Sequence, residues 1–578
     1  MKRTFFAFLA LVALVGQMLA QAPIKVSSLE RKVAEGITAD QLHQYLNFVA
    51  SDEMEGRDTP SRGLNTVAKF IALNLTKWGF KPAGDDGTFF QHIALHRDTI
   101  DPSASFADFN DQHYAYGDDV IRASGPQSGS TNGMIVFAGN GWMIKSKNMN
   151  PYAGLDVKGK YIAVYGEGQP GFGSVVPIPE GVTAADVPRT TRGTDWADVT
   201  AYAAANGAAG VIVLPSKFIA QNWTTLQRNS FGGRFTVDKF AAPAGAGRQG
   251  AGAPAVPVVY VSPKLAQAIF AGEQQNPMSS PATPFALNGG RSFTFTVGTK
   301  REEGSTQNVV AIWEGSDPKL KDEMVAIGAH YDHIGNAAVP GSQCRAIPGD
   351  MICNGADDDG SGTVSVLSIA EALAKAPQRP KRSVLLVWHC GEEKGLWGSQ
   401  YLNSYPPAAV NIKNVIAQLN IDMIGRSKKP GYMAPCDTNP APGRAPCNST
   451  LTDENTIYVI GKDMMSSTLS NIVGGVNAGY LKLGYDTRYD DPKDPNRFFY
   501  RSDHFNYAKN GIPITFWFDG EHEDYHQPGD EPQKIDYNKM EKVARTIVIT
   551  LWELTDLKER PKIDKELPEQ LKAAQTAR

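Results

Sequence analysis

Apolar residues recur at helical spacing in two early stretches, Thr38–Ala50 and Gly63–Trp78. In the second, Val67, Phe70, Ile71, Leu73, Leu75 and Trp78 trace the stripe. A repeat near 3.6 residues predicts two helices that each pack along one face. The run Ser51-Asp-Glu-Met-Glu-Gly-Arg57 lies between them, and the turn-rich Gly79–Thr88 follows. From about residue 105 to 290 the texture changes. Short β-rich runs (Met134–Ala138, Tyr161–Tyr165, Gly210–Leu214, Val256–Val261) are separated by long Gly, Pro, Asn and Ala stretches, with one Ala-rich helix at Asp195–Ala208. This pattern predicts a separate, loop-rich β/α module.

From Asn308 onward, strand-like and helix-like stretches alternate. Asn308–Trp313, Met324–His330, Ser383–Cys390, Val415–Met423, Thr456–Ile460 and Ile512–Phe518 are continuous apolar, β-branched runs, as expected of strands buried on both faces. Gly362–Lys375 and Tyr537–Leu554 read as helices. The expected fold class is therefore α/β, a mostly parallel or mixed sheet sandwiched by helices. Ligand sites in such sheets lie outside the carboxyl ends of the strands.

At 578 residues the chain exceeds what one core holds, since single cores stop growing near roughly 250–300 residues, so two globular units are expected. Lys+Arg 57 against Asp+Glu 61 leaves a net charge of −4 with no long basic run, which argues against a nucleic-acid partner. Met1-Lys2-Arg3 followed by apolar Thr4–Val15 and small residues around Ala20 and Ala22 reads as a secretory signal peptide. The apolar run falls short of the ~20 residues that span a bilayer, and no later segment reaches that length, so a soluble exported protein is expected. Export allows disulfides. Cys344 and Cys353 bracket one short loop, and Cys436 and Cys447 another. Two local bridges are suggested, although spacing alone leaves the connectivity open. Cys390 falls in an apolar strand and reads as a small buried hydrophobe.

Six of the ten histidines lie at or beyond His330, where acidic residues crowd the predicted strand ends. The clusters are His330-Tyr-Asp-His333, Asn354-Gly-Ala-Asp-Asp-Asp-Gly-Ser-Gly362, Gly391-Glu-Glu393, Asn420-Ile-Asp422, Arg501-Ser-Asp-His504 and Glu521-His-Glu-Asp-Tyr-His526. A run of three aspartates alone is an ordinary solvated turn, and His-x-Asp alone says no more. Six such clusters at strand ends point to a metal. Imidazole nitrogen with carboxylate oxygen suits zinc, whereas calcium has no call for histidine.

This set resembles the co-catalytic dizinc exopeptidases, the group of secreted bacterial leucyl aminopeptidases, glutamate carboxypeptidase II and the transferrin receptor ectodomain. The Ala50–Arg57 and Lys81–Gly87 segments share in the likeness, and the module containing Leu155–Ala163 and Ala204–Val213 looks like an inserted protease-associated domain. The resemblance implies a phosphorylase/hydrolase-like zinc exopeptidase fold with two Zn2+ per chain. His330 and Asp422 would hold one ion, Glu393 and His526 the other, and Asp357 would bridge them through a cis Asp357–Asp358 bond. Asp332 would orient His330, Glu392 would act as general base, and Tyr500 would stabilise the oxyanion.

The implied layout is a signal peptide at 1–20, the first part of the peptidase domain at 21–104, the insert at 105–290, the catalytic domain at 291–558 and a tail at 559–578. The expected function is a secreted or periplasmic metallo-exopeptidase acting on peptides, an aminopeptidase rather than a carboxypeptidase or dipeptidase of the glutamate carboxypeptidase type. Arg497 and Arg501 beside the Ser-Asp-His run could hold a substrate carboxylate under that second reading. A receptor-like protein of the same fold without metals would lack ligands, and every position here is filled.

Overall fold

The computed structural model describes residues 22–123, 127–166, 178–240, 256–339, 341–429 and 450–576. The expected signal peptide and the Cys436 and Cys447 pair lie outside the described residues. The chain divides into two compact units. One runs up to His92 and includes Gln307–Ala337 and the residues from Gln343 onward; the other comprises Ile93–Thr306 and Ala338–Ser342. The second unit thus starts earlier and ends later than the composition change suggests. Its limits fall inside two long strands, Phe90–Phe109 and Ser292–Trp313, whose alternating burial extends past the Gly-rich and Ala-rich texture.

Six strands form the centre of the first unit's sheet: β1 (Ser292–Trp313, through its last residues), β2 (Met324–His330), β3 (Ser383–His389), β4 (Val415–Ile421), β5 (Thr456–Ile460) and β6 (Ile514–Phe518). The spatial order is β1-β3-β2-β4-β6-β5. The inner four strands run parallel, and β1 and β5 pair antiparallel at the two sides. The sheet is mixed and mostly parallel, as the alternating pattern predicts. Every residue of β2, β3 and β4 is buried, which is why their sequences are continuous apolar runs rather than alternating ones.

Both faces are covered. Ala326, Leu385, Val387 and Phe516 share one core with Leu402 of the helix Trp397–Ser404 and with Tyr507 and Ala508 of His504–Ala508. On the other face, the Trp388 indole donates to the Thr363 carbonyl of the helix Gly362–Lys375. Side-chain caps start the flanking helices: Thr38 before Ala39–Val49, Ser61 before Arg62–Lys77 and Asp536 before Tyr537–Asp556 each accept a bond from a backbone N–H. Such caps satisfy donors that the helix itself leaves orphaned.

The second unit has its own core. Gly129–Phe137, Tyr161–Val164, Gly210–Val213 and Val258–Val261 form a parallel set. The helices Val199–Ala205, Lys217–Phe231 and Pro263–Phe270 alternate with the later strands. The helix Lys217–Phe231 is not apparent from apolar spacing, because only Ile219 and Ser230 of it are buried. Among the described residues, no helix is long and apolar enough to cross a membrane.

Candidate metal centre

Four parallel strands end together, and each delivers polar side chains at or just past its last residue: His330 at the end of β2, Glu392 and Glu393 after β3, Asp422 after β4, and the Glu521–His526 run after β6. The Asp357–Asp359 loop enters beside them, preceded by Cys353, whose disulfide to Cys344 closes the adjoining loop. His330, Asp357, Asp358 and Asp422 are buried, and Glu393 is partly buried. His526 sits at the rim with a left-handed backbone (φ 57°), uncommon for a residue with a side chain.

The carboxylate at the centre is Asp358, not Asp357. Asp358 Oδ1 lies 3.2 Å from His330 Nε2, and its Oδ2 lies 3.1 Å from His526 Nε2. His330 Nε2 is also 3.6 Å from Asp422 Oδ1, and His526 Nε2 is 3.2 Å from Glu393 Oε2. Asp357 turns away, accepting from the Gly425 N–H at 2.6 Å and lying 3.3 Å from His522 Nε2. Asp359 turns elsewhere again, accepting from the N–H groups of His330, Gly362 and Met423. The register is set from a distance, because the carboxylate of Asp530 accepts from the backbone N–H groups of both Asp357 and Asp358. The cis peptide bond correspondingly joins Asp358 to Asp359 rather than Asp357 to Asp358.

Asp332 lies behind the His330 ring. Its carbonyl is 3.2 Å and its carboxylate 3.7 Å from His330 Nδ1, and the carboxylate accepts from the Glu392 N–H. Tyr500 does not reach the cluster. Its hydroxyl donates to Gln570 at 2.6 Å, while Phe499 and Phe505 pack against its ring. The tyrosine at the site is Tyr525, next to His526 in sequence. The Ser502 hydroxyl donates to Asp422 Oδ2 at 2.5 Å and accepts from the Asn420 amide, giving the Arg501–His504 run a contact with the cluster that its sequence does not disclose.

Crowding of like charges governs the electrostatics. Burial works against a charged His330, yet Asp422, Asp332 and Asp358 outweigh it and hold the imidazole well above its ordinary pKa. Burial and then Asp358 oppose the charge on Glu393, but the His333 and His526 imidazoles beside it keep it at about 2. Glu392 is the exception. Burial, then Glu393, Asp422 and Asp503, push its carboxyl well above the usual range despite His330.

The donor set fits a cation. His330, Asp359 and Asp422 offer one group of atoms within 4.8 Å of one another, and His333, Asp358 and Glu393 a second. Glu393 Oε1, Asp332 Oδ2 and both ring nitrogens of His333 are buried without an aligned hydrogen bond. Buried polar groups are rarely left so. In the first group Asp359 is already occupied by backbone donors, which leaves Asp358 as the available partner of His330 and Asp422.

A pocket opens onto Glu392. Its apolar wall is Met423, Phe498, Phe516 and Phe518, and its polar wall includes Arg501, Glu521 and Tyr525. Arg501 is engaged: Nη2 is 2.8 Å from Glu521 and donates to the Tyr525 hydroxyl at 3.3 Å. Arg497 lies over the Tyr500 ring. Sequence spacing points to neither Tyr525 nor Glu521 individually; the only signal is that both share the acidic run containing His526.

Residues 308–551 match peptidase family M28. The chain is 30% identical over 243 residues to leupeptin-inactivating enzyme 1 of Streptomyces exfoliatus, covering 42% of either chain. It is 29% identical to the probable leucine aminopeptidase 2 of Aspergillus oryzae, over 40% of this chain and 37% of that one. The match thus spans less than half the length of either relative. Among solved structures, an aminopeptidase from Aneurinibacillus sp. strain AM-1 is similar, with a TM-score of 0.44 and 15% identity over 93% of this chain and 97% of that one.

Proposed function

We propose, from the match of residues 308–551 to peptidase family M28, that this protein is an exported zinc exopeptidase that removes residues from the amino end of peptides. The observation that carries this reading is the Asp358 carboxylate set between His330 and His526, with Glu392 beside it on the pocket wall. His330 and Asp422 would hold one zinc, Glu393 and His526 a second, and Asp358 would be shared. Zinc bound there supplies Lewis acidity, making a water easier to deprotonate and the scissile carbonyl more electrophilic.

The protein's own groups do the rest. Glu392 accepts a proton from the attacking water as its oxygen bonds to the carbonyl carbon, then delivers that proton to the amine nitrogen as the C–N bond breaks. A partly desolvated carboxyl with a raised pKa suits both halves of that exchange. Tyr525 replaces Tyr500 as the donor to the developing oxyanion. Burial and the nearby Asp358 and Glu393 keep its phenol protonated, and Arg501 holds its oxygen. Asp332 steadies the His330 ring from behind.

Direction follows from charge. A carboxypeptidase pocket needs a cation free to pair with the terminal carboxylate, and Arg501, the cation on this pocket's wall, is already neutralised by Glu521. Carboxylates around the pocket favour a substrate ammonium instead. The test is hydrolysis of matched peptides with free, acetylated or amidated ends, with zinc content measured on the same sample. Cleavage of free amino ends, lost on chelation and restored by zinc, is expected. Cleavage that persists on acetylated peptides and stops on amidated ones would reverse the direction.

A further inference from the structure

Arg57 is among the largest fully buried side chains of the molecule. Its guanidinium donates to four backbone carbonyls drawn from three segments: Nε to Tyr331 at 2.9 Å, Nη1 to Val49 at 2.9 Å and to Asn354 at 2.6 Å, and Nη2 to Gly355 at 2.8 Å. Tyr331 directly follows His330, Val49 ends the helix Ala39–Val49, and Asn354 and Gly355 lead into Asp358. The Arg57 backbone joins in, since its carbonyl accepts from the His333 N–H at 3.2 Å. Bringing the side chain there takes an uncommon backbone: Glu55, Gly56 and Arg57 have φ of 52°, 67° and 47°, a left-handed run that two residues with side chains would ordinarily avoid. Gly56 lies so close to the carbonyls of Gly335 and Cys353 that a Cβ would fall 2.5 Å from each oxygen. Burial disfavours the Arg57 charge and lowers its pKa to about 10, while Asp332, Asp358, Asp530 and Asp359 favour it. A mere counter-ion would aim its donors at those carboxylates, yet all four bonds go to main-chain carbonyls.

We infer that Arg57 is a positioning residue whose guanidinium sets the separation between the backbone that carries His330 and the backbone that carries Asp358, and so the spacing of two donors to one zinc. The His330 and Asp358 side chains stand 3.2 Å apart, a contact that depends on both backbones being held in place. Three nitrogens in one rigid plane can hold three segments at fixed distances, whereas a lysine ammonium supplies the charge without that geometry. The Ser51–Arg57 run, which brings no carboxylate or imidazole to the cluster, thereby takes part in the site from behind. This inference rests on the proposed zinc function and adds to it the group that fixes the geometry.

Arg57→Lys keeps the charge and removes the fork. In competition with a chelator, the folded variant is expected to hold zinc at least roughly tenfold more weakly than the native protein. At saturating zinc its kcat should fall roughly tenfold or more with KM little changed. Thermal unfolding of both proteins without zinc separates these losses from plain destabilisation, which would lower the midpoint and leave the zinc affinity of the folded chain alone. If the variant does not fold, hydrogen exchange on the native zinc-free protein decides: the amides of residues 329–334 and 354–358 are expected to be protected there nearly as well as with zinc bound. A folded Arg57→Lys with native zinc affinity and kcat, or native loops that become protected only when zinc is added, would overturn the inference while leaving the peptidase reading intact. Failure of the native protein to take up zinc would overturn both.

Discussion

In the second unit, Trp142, Phe137, Tyr161 and Phe270 are buried among Val, Ile and Ala side chains. At the strand ends of the first unit, by contrast, His330, Asp332, His333, Asp357, Asp359 and Asp503 are buried against one another. The buried side-chain atoms without an aligned hydrogen bond divide the same way. Among the described residues, all of them except Thr306 Oγ1 fall in the first unit. A core that satisfies its own polar groups is a scaffold, while one that withholds partners from several is built around something else. The lesson is that unmet hydrogen bonds, more than pocket size, separate the reactive unit from the supporting one.

The largest effect that would sharpen this contrast is expected from Glu392→Gln. Turnover should fall by ~10²–10⁴, the usual worth of a general acid–base group, with zinc content unchanged. Near-native turnover on the terminal-peptide panel would remove Glu392 from the mechanism. In the second unit, Trp142→Ala should cost about 3–5 kcal/mol of stability by opening a cavity, since the indole is fully buried and stacks on Trp196 at 5.9 Å. Denaturant unfolding reads that loss, and zinc affinity should not move. A parallel loss of zinc would break the distinction between the units.

The smallest effect concerns acid. His504 is buried, its Nε2–H donates to the Phe499 carbonyl, and burial pushes its pKa down to about 3. In the unfolded chain it titrates near ~6.5, so the unfolded state binds more protons between these values. The contribution of neutral His504 is therefore fully present above pH ~6.5 and is lost as pH falls toward 3. Thermal midpoints measured from pH 7 to 4 should fall less steeply in His504→Gln than in the native protein. Parallel curves would exclude it as a source of acid sensitivity.

Much of this was legible beforehand. The fully buried strands Met324–His330, Ser383–His389 and Val415–Ile421 stand out as apolar runs, and the chemistry sits directly after them. The errors share a cause. Choosing among Asp357, Asp358 and Asp359 depends on side-chain direction, and Asp530, far along the chain, sets that direction by accepting from two successive backbone N–H groups. Choosing between Tyr500 and Tyr525 likewise turns on which ring Phe499 and Phe505 enclose and which phenol Arg501 reaches.

Composition and periodicity alone thus determined the α/β class, the existence of an intervening module and the strand ends that carry histidine and carboxylate, because burial on both faces and clustered polar residues leave a trace along the chain. The tertiary structure decided which of three adjacent aspartates faces the histidines, which tyrosine lines the pocket, that Arg501 is already paired and that His333 points inward. Those are matters of direction and of partners distant in sequence, and hydrophobic patterning records whether a side chain is buried without recording what it is buried against.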